Sequence, residues 1–374
     1  MGTLFQFPYR TVAEVSIRSI IKNLVVLRST SQKEIVPVVK ADAYGHGLLP
    51  VAKALVSRGS CHSLCVATLE EAIELRKKIP YAISIWVLSG FLPHQLEAYL
   101  KYRLTPVIHS LNHLKSLLNR PKLPEIHLKL DSGMHRLGLL PDEMPEAYLT
   151  LQKLGIKLSG FATHFAESEN LVSKFVDKQI EIFHGVYQEL LHRKLIQTDA
   201  KIHISNTGGI LRNKLGLSYS VRPGLGLYGI SPNPRLPHSE DLVPALTWKA
   251  RVIATKNLKA NDSVGYGRTY IAKKKEKIAI VAVGYADGVP RLLSSEGSVI
   301  VGGKKAAIRG RVSMDLIAID CSHHSSVKEG SLVTLIGKEG KQSITAWDIA
   351  NWSRTIPYEI LCGISPRVPR VYLD

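Results

Sequence analysis

The feature that most constrains this fold is an alternation. Through the first two-thirds of the chain, short apolar β-branched runs take turns with helix-like stretches. The runs fall at residues 36–40, 64–68, 83–88, 105–109, 125–131, 158–164, 201–205 and 220–229. They are hydrophobic throughout rather than at every second residue, as parallel strands covered on both faces are. Thr68-Leu69-Glu70-Glu71 is a capping box that opens a helix over 69–79. Ser110 is an N-cap for 111–119, Pro141-Asp142-Glu143 starts a further helix, and a long one runs from Ser168 to near Leu195. Eight strands alternating with helices predict a parallel sheet, and eight is the number that closes a (β/α)8 barrel. The competing architecture, an open doubly wound sheet, is disfavoured because no Gly-x-Gly-x-x-Gly follows the first strand.

Past Ser231-Pro232-Asn233-Pro234 the helices mostly vanish. Short β runs at 246–254, 277–283, 298–301, 306–308, 316–319 and 332–336 replace them, divided by turn signals such as Gly302-Gly303. The 374 residues are therefore expected to form an α/β protein in two parts. These are an N-terminal (β/α)8 TIM-type barrel over 1–242 and a C-terminal β-rich domain over 243–374.

Charge narrows the partners. Lys plus Arg number 49 against 31 Asp plus Glu, a net +18 that admits nucleic acid, an acidic membrane or an anionic small molecule. The one dense basic run, Lys273-Lys274-Lys275-Glu276-Lys277, fits an exposed hairpin turn and has no interleaved aromatics, which argues against nucleic acid. The longest uncharged apolar run, 79–93, contains Pro, Ser and Gly and falls short of the ~20 residues of a membrane span. Residues 1–10 lack the basic-then-apolar pattern of an export signal. Cys61, Cys65, Cys321 and Cys362 show no metal-ligand spacing, so no metal is expected, and free thiols suit a reducing compartment. A cytoplasmic protein acting on a small anion is the expectation.

In such a barrel the site is built at the carboxyl ends of the strands. Lys40 closes the first run; it is either an ordinary surface lysine or one of lowered pKa suited to Schiff-base chemistry. Arg136 follows the fifth run and His164 ends the sixth. Ser205-Asn206-Thr207-Gly208-Gly209 ends the seventh, and the eighth contains Arg222-Pro223-Gly224-Leu225-Gly226. Loops after strands seven and eight are the usual phosphate position of this fold. A phosphorylated cofactor offering a carbonyl to Lys40 suggests pyridoxal 5'-phosphate.

Val38-Val39-Lys40-Ala41-Asp42-Ala43-Tyr44-Gly45-His46-Gly47 resembles the cofactor-attachment motif of alanine racemases. The resemblance continues through Lys129-Leu130-Asp131-Ser132-Gly133-Met134-His135-Arg136, Thr163-His164-Phe165-Ala166 and Arg222-Pro223-Gly224-Leu225-Gly226-Leu227-Tyr228-Gly229. It takes in Gly265-Tyr266-Gly267, Gly284-Tyr285-Ala286-Asp287-Gly288, Gly310-Arg311-Val312-Ser313-Met314-Asp315 and Arg367-Val368-Pro369-Arg370. The motifs stand in family order over nearly the whole chain.

The resemblance implies that Lys40 holds the cofactor as an internal aldimine and then serves as one of two acid–base groups, with Tyr266 as the second. It implies a homodimer with shared active sites, in which Tyr266 and the backbone N–H of Met314 come from the other copy. A hydrogen-bonded route from Tyr266 through His164 to Arg222 would lower the phenol pKa. Arg222 would face the pyridine nitrogen, and Arg136 would pair with the substrate carboxylate. Tyr44, Thr207 and the N–H groups of Gly224 and Leu225 would hold the phosphate. Tyr285 would narrow the entrance, and Lys129 matches a lysine that some members carry as a carbamate.

Pro366 stands where some members have a phosphate-binding tyrosine, Thr207 where serine is common and Ser313 where cysteine often occurs. The implied reaction is interconversion of L- and D-alanine, supplying D-alanine for peptidoglycan. Two alternatives stay open here: another pyridoxal-phosphate amino-acid enzyme on the same plan, and a non-catalytic carrier of the cofactor. The first is opposed by Arg136, which would hold the carboxylate in place; the second by the β-rich domain bearing Tyr266 and Met314.

Overall fold

The computed structural model describes residues 8–374. Residues 1–7, part of the stretch without an export pattern, lie outside the described residues. The chain forms two compact units. One comprises Ser19–Ala43 and Leu48–Val243; the other comprises the stretch up to Arg18, Tyr44–Gly47 and Pro244–Asp374.

In the first unit eight strands pair in parallel. Ser63–Val66, Ser84–Val87, Thr105–Ile108, His127–Lys129, Leu158–Ala162, Ile196–His203 and Ser220–Val221 lie side by side in chain order, and Ser220–Val221 pairs on with Glu34–Ile35. The sheet curls until its edges meet. Val38 bridges Cys65, the Val39 N–H donates to Cys65 O at 2.8 Å, and the Cys65 N–H donates to Pro37 O at 2.8 Å. This is the (β/α)8 arrangement expected from the alternation.

The strand bounds differ notably at the first and eighth runs, each of which contains a proline. The first run's regular strand is only Glu34–Ile35, though Val36, Val38 and Val39 still donate their N–H groups to neighbouring strands; Pro37 has no N–H to give, and Lys40 opens a helical turn, Lys40–Gly45, instead of closing a strand. The eighth run's regular strand is only Ser220–Val221, after which Arg222 and Pro223 still bond to neighbouring strands and the glycines pass into a 3₁₀ turn, Leu225–Tyr228. The long helix begins at Phe175 rather than Ser168, whose hydroxyl donates to Asn206 Oδ1 at 2.7 Å.

In the second unit, Leu246–Leu258 pairs antiparallel with Glu276–Val281, Leu332–Glu339 and Thr11–Ser16. Thr11–Ser16 is flanked on its other side by Arg370–Leu373 in parallel. It buries Val12, Ala13 and Val15 there, while Trp248 Nε1 donates to Thr11 Oγ1 at 2.9 Å. Leu258, Val264, Ala272, Ile278 and Ala318 form a local core. Two helices not foreseen in the sequence, Ala346–Trp352 and Pro357–Gly363, complete the unit; a capping box of Thr345 and Asp348 opens the first. Among the described residues no helix is long and apolar enough to cross a membrane.

Candidate active site

Lys40 begins an unusual piece of backbone. Ala41, Asp42, Ala43 and Tyr44 all have positive φ, 53°, 53°, 53° and 54°, so four consecutive non-glycine residues wind left-handed. For L-residues this costs about 1–2 kcal/mol each. The surroundings hold it in place. The Ala43 N–H donates to Val39 O at 2.9 Å, the Leu48 N–H to Asp42 Oδ1 at 2.7 Å, and the Ala41 N–H to Glu71 Oε1 at 2.6 Å. Strain sustained in this way concentrates at functional sites.

Arg222 is buried at the end of the last barrel strand and is gripped by acceptors. Its NH2 donates to Thr163 O at 2.8 Å and reaches His164 Nδ1 at 3.4 Å; NH1 donates to His203 O and, at 2.6 Å, to His203 Nδ1. Burial lowers its pKa to about 10, which leaves it charged at neutral pH. A guanidinium only donates, so it fixes the tautomers around it. His203 Nδ1 must accept, which puts the His203 proton on Nε2. That nitrogen lies 3.0 Å from His127 Nδ1, which must accept in turn, so His127 also carries its proton on Nε2. Burial first, then the Arg222 charge, holds His127 down to about 3 and His203 well below the ordinary histidine value, so both rings stay neutral. Trp86 packs on both, at centroid distances of 4.6 and 4.7 Å.

This buried layer was missed in the sequence. The available signal was a histidine flanked by apolar residues within each of two strand runs, Ile126-His127-Leu128 and Ile202-His203-Ile204. The layer depends on Gly160, directly opposite His127 on the neighbouring strand, where a Cβ would lie 2.4 Å from the imidazole. Gly160→Ala is expected to force the ring off His203 and cost about 1–3 kcal/mol of stability, read by denaturant unfolding. An unchanged midpoint would show that the layer has slack.

Around His164 the charge is one-sided. Burial first, then Arg222, Lys129, Arg136 and Lys40, holds His164 well below its usual pKa. Lys129, also buried, is lowered to about 8 by desolvation, Arg222 and Arg136, with Lys40 adding to the effect and Asp131 opposing it. Asp131 is itself engaged by the N–H groups of Gly133, Met134 and His135 at 2.9, 2.9 and 3.0 Å. Four cationic side chains within electrostatic range of one neutral histidine suit a small, multiply charged anion. Beside them Thr207 Oγ1 accepts the N–H groups of Gly224 and Gly226, both at 3.2 Å. The Gly224 amide, expected to point at a phosphate, is thus turned onto Thr207, whose hydroxyl hydrogen is left to donate. Leu225 opens the adjoining 3₁₀ turn.

The second unit carries the remaining candidates. Tyr266 sits between Gly265 (φ 73°) and Gly267 (φ 68°) and is 72% exposed. Met314 and Tyr285 are exposed on two loops laced together: the Tyr285 N–H donates to Ser313 O and the Ala286 N–H to Met314 O, each at 3.0 Å. Gly284 is required there, since its Cβ would meet Met314 O at 2.3 Å. Buried Asp287 anchors the same loop, accepting from Gly284 N–H at 2.9 Å and pairing with Arg10 at 2.5 Å. Tyr44 packs beside Tyr358, with ring centroids 6.0 Å apart. Tyr358 is thus a second phenol near Tyr44, at a position to which the sequence motifs assign no role.

Family models described as the N-terminal and C-terminal domains of alanine racemase match residues 15–232 and 245–372. A protein of Halothermothrix orenii named alanine racemase is 44% identical over 351 residues, covering 91% of this chain and 90% of its own. The alanine racemase of Bacillus anthracis, solved with bound L-Ala-P, is 33% identical with a TM-score of 0.89, covering 98% of this chain and 96% of its own. That of Bartonella henselae, solved with covalently bound pyridoxal phosphate, is 28% identical with a TM-score of 0.87, covering 98% and 100%.

Proposed function

The chain belongs to the alanine racemase family, and from that premise we propose that it interconverts L- and D-alanine by two-base proton transfer, with pyridoxal 5'-phosphate as its cofactor. The observation that carries this reading is the gathering of Lys40, Lys129, Arg136 and Arg222 about a neutral His164, a charge pattern that suits a phosphorylated cofactor and a carboxylate substrate together. When bound, the cofactor supplies a carbonyl carbon for Lys40 and a conjugated ring that draws electron density from Cα.

Racemisation needs a proton taken from one face of Cα and one delivered to the other. Lys40 Nζ serves one face. As the family resemblance implies, Tyr266 Oη of the partner subunit serves the other, which would make the catalytic unit a homodimer with shared sites. His164, unprotonated at Nδ1 because Arg222 donates there, presents Nε2–H as the donor that can stabilise a tyrosinate. Arg222, locked by its acceptors, would offer the bound cofactor's ring nitrogen a cation that can only donate, which would restrain electron withdrawal. Arg136 pairs with the carboxylate, and the N–H of Met314 shares it. The Thr207 hydroxyl, Tyr44 and the loop of Gly224 and Leu225 hold the phosphate. Lys129, with a neutral fraction at physiological pH, can accept carbon dioxide as a carbamate and place a negative charge beside Arg136. D-alanine formed in the cytoplasm would serve peptidoglycan synthesis.

Incubation of the purified protein with L-alanine and the cofactor, followed by chiral analysis, is expected to reach equal amounts of both enantiomers. No D-alanine and no cofactor absorbance on the protein would overturn the reading.

A further inference from the structure

We propose that Glu71 is a positioning residue for Lys40: its carboxylate ties the opening of the left-handed turn to a helix terminus on the neighbouring βα unit. The inference rests on the reading of Lys40 as the cofactor-bearing amine. Glu71 is the third residue of the helix Leu69–Arg76, and its two oxygens do different work. Oε2 closes the capping box, accepting the N–H groups of Ala67 at 2.8 Å and Thr68 at 3.3 Å, while Thr68 Oγ1 accepts the Glu71 N–H at 3.3 Å. Oε1 leaves that local arrangement and accepts the Ala41 N–H at 2.6 Å, thirty residues back in the chain.

Ala41 is the residue after Lys40 and the first of the four left-handed ones. Its peptide plane sets the direction in which the Lys40 Cα–Cβ bond leaves the backbone. A left-handed stretch of Ala-Asp-Ala-Tyr has no intrinsic preference for that conformation, so its geometry is set by the groups that bind its ends. Downstream Asp42 takes the Leu48 N–H; upstream the grip is Glu71. A carboxylate can accept on both sides, whereas a carboxamide has one acceptor and an NH2 that would face an N–H. A capping box alone would be served by glutamine. The bond to Ala41 is what calls for the second oxygen.

Glu71→Gln in the full-length protein is therefore expected to loosen Lys40 rather than the fold. Cofactor affinity, followed by absorbance titration, should fall about tenfold, and kcat by about 10- to 100-fold with KM little changed, the scale of a misplacement near 1 Å. Amide hydrogen exchange over residues 41–44 should accelerate. Thr68→Ala is the control: it removes the other half of the same capping box and leaves the Ala41 bond in place, so it should lower the melting temperature without moving affinity, kcat or that exchange. Wild-type affinity, turnover and exchange in Glu71→Gln would overturn the proposal. So would Thr68→Ala matching its losses at equal destabilisation. If the wild-type protein takes up no pyridoxal phosphate, the functional reading fails, while exchange over 41–44 measured without cofactor still decides whether Glu71 holds the turn.

Discussion

Lys40→Ala is expected to remove turnover in both directions and to leave a protein that no longer retains pyridoxal phosphate through covalent attachment. Two losses coincide in one side chain: the amine that joins the carbonyl carbon, and the base for one face of Cα. Loss of a nucleophile and a proton-transfer group together exceeds the ~10²–10⁴-fold of general acid–base catalysis alone. The fold should survive, because the turn is held through the backbone of Ala41 and Ala43 and the side chain of Asp42. Borohydride reduction followed by peptide mapping is the check: an adduct on the Lys40 peptide in the wild type and none in the variant. Retained activity in Lys40→Ala would remove the basis of the proposed chemistry.

Tyr266→Phe is the second large effect, expected at about 10²–10⁴-fold in both directions, because the phenol that takes the proton in one direction returns it in the other, with folding untouched because the residue is 72% exposed. Solvent-deuterium incorporation at Cα distinguishes the faces. Wild-type rates in both directions would refute the two-base assignment. Mixing inactive Lys40→Ala and Tyr266→Phe subunits should restore activity, since a mixed dimer contains one site with both groups. Confirmed subunit exchange without recovery would count against shared sites.

How much of this was legible in the sequence depended on what each residue must do. The barrel strands were readable because a sheet covered on both faces demands unbroken apolar runs. The charged strand-end residues stood out because their types are out of place beside such runs. The left-handed turn after Lys40 was not readable: Ala, Asp and Tyr carry no preference for positive φ, and the conformation is imposed by partners at Glu71 and Leu48. His127 and His203 escaped notice because their importance lies in mutual contact across 76 residues, which a single strand cannot reveal. Glu71 was recognised as a cap and nothing more, since its second oxygen works at a distance in the chain. Thr345 and Asp348 were a missed opportunity, for their three-residue spacing is a helix start in plain view.

The strand Thr11–Ser16 bears on how the molecule is made. It leaves the ribosome first among the described strands, yet its neighbours Leu246–Leu258 and Arg370–Leu373 are synthesised hundreds of residues later. At about 5–20 residues per second, the nascent chain holds a ready-to-pair apolar segment for on the order of tens of seconds before its mates emerge. Translation speed and chaperone capacity, rather than final stability, would then govern the yield of active protein when expression is strong.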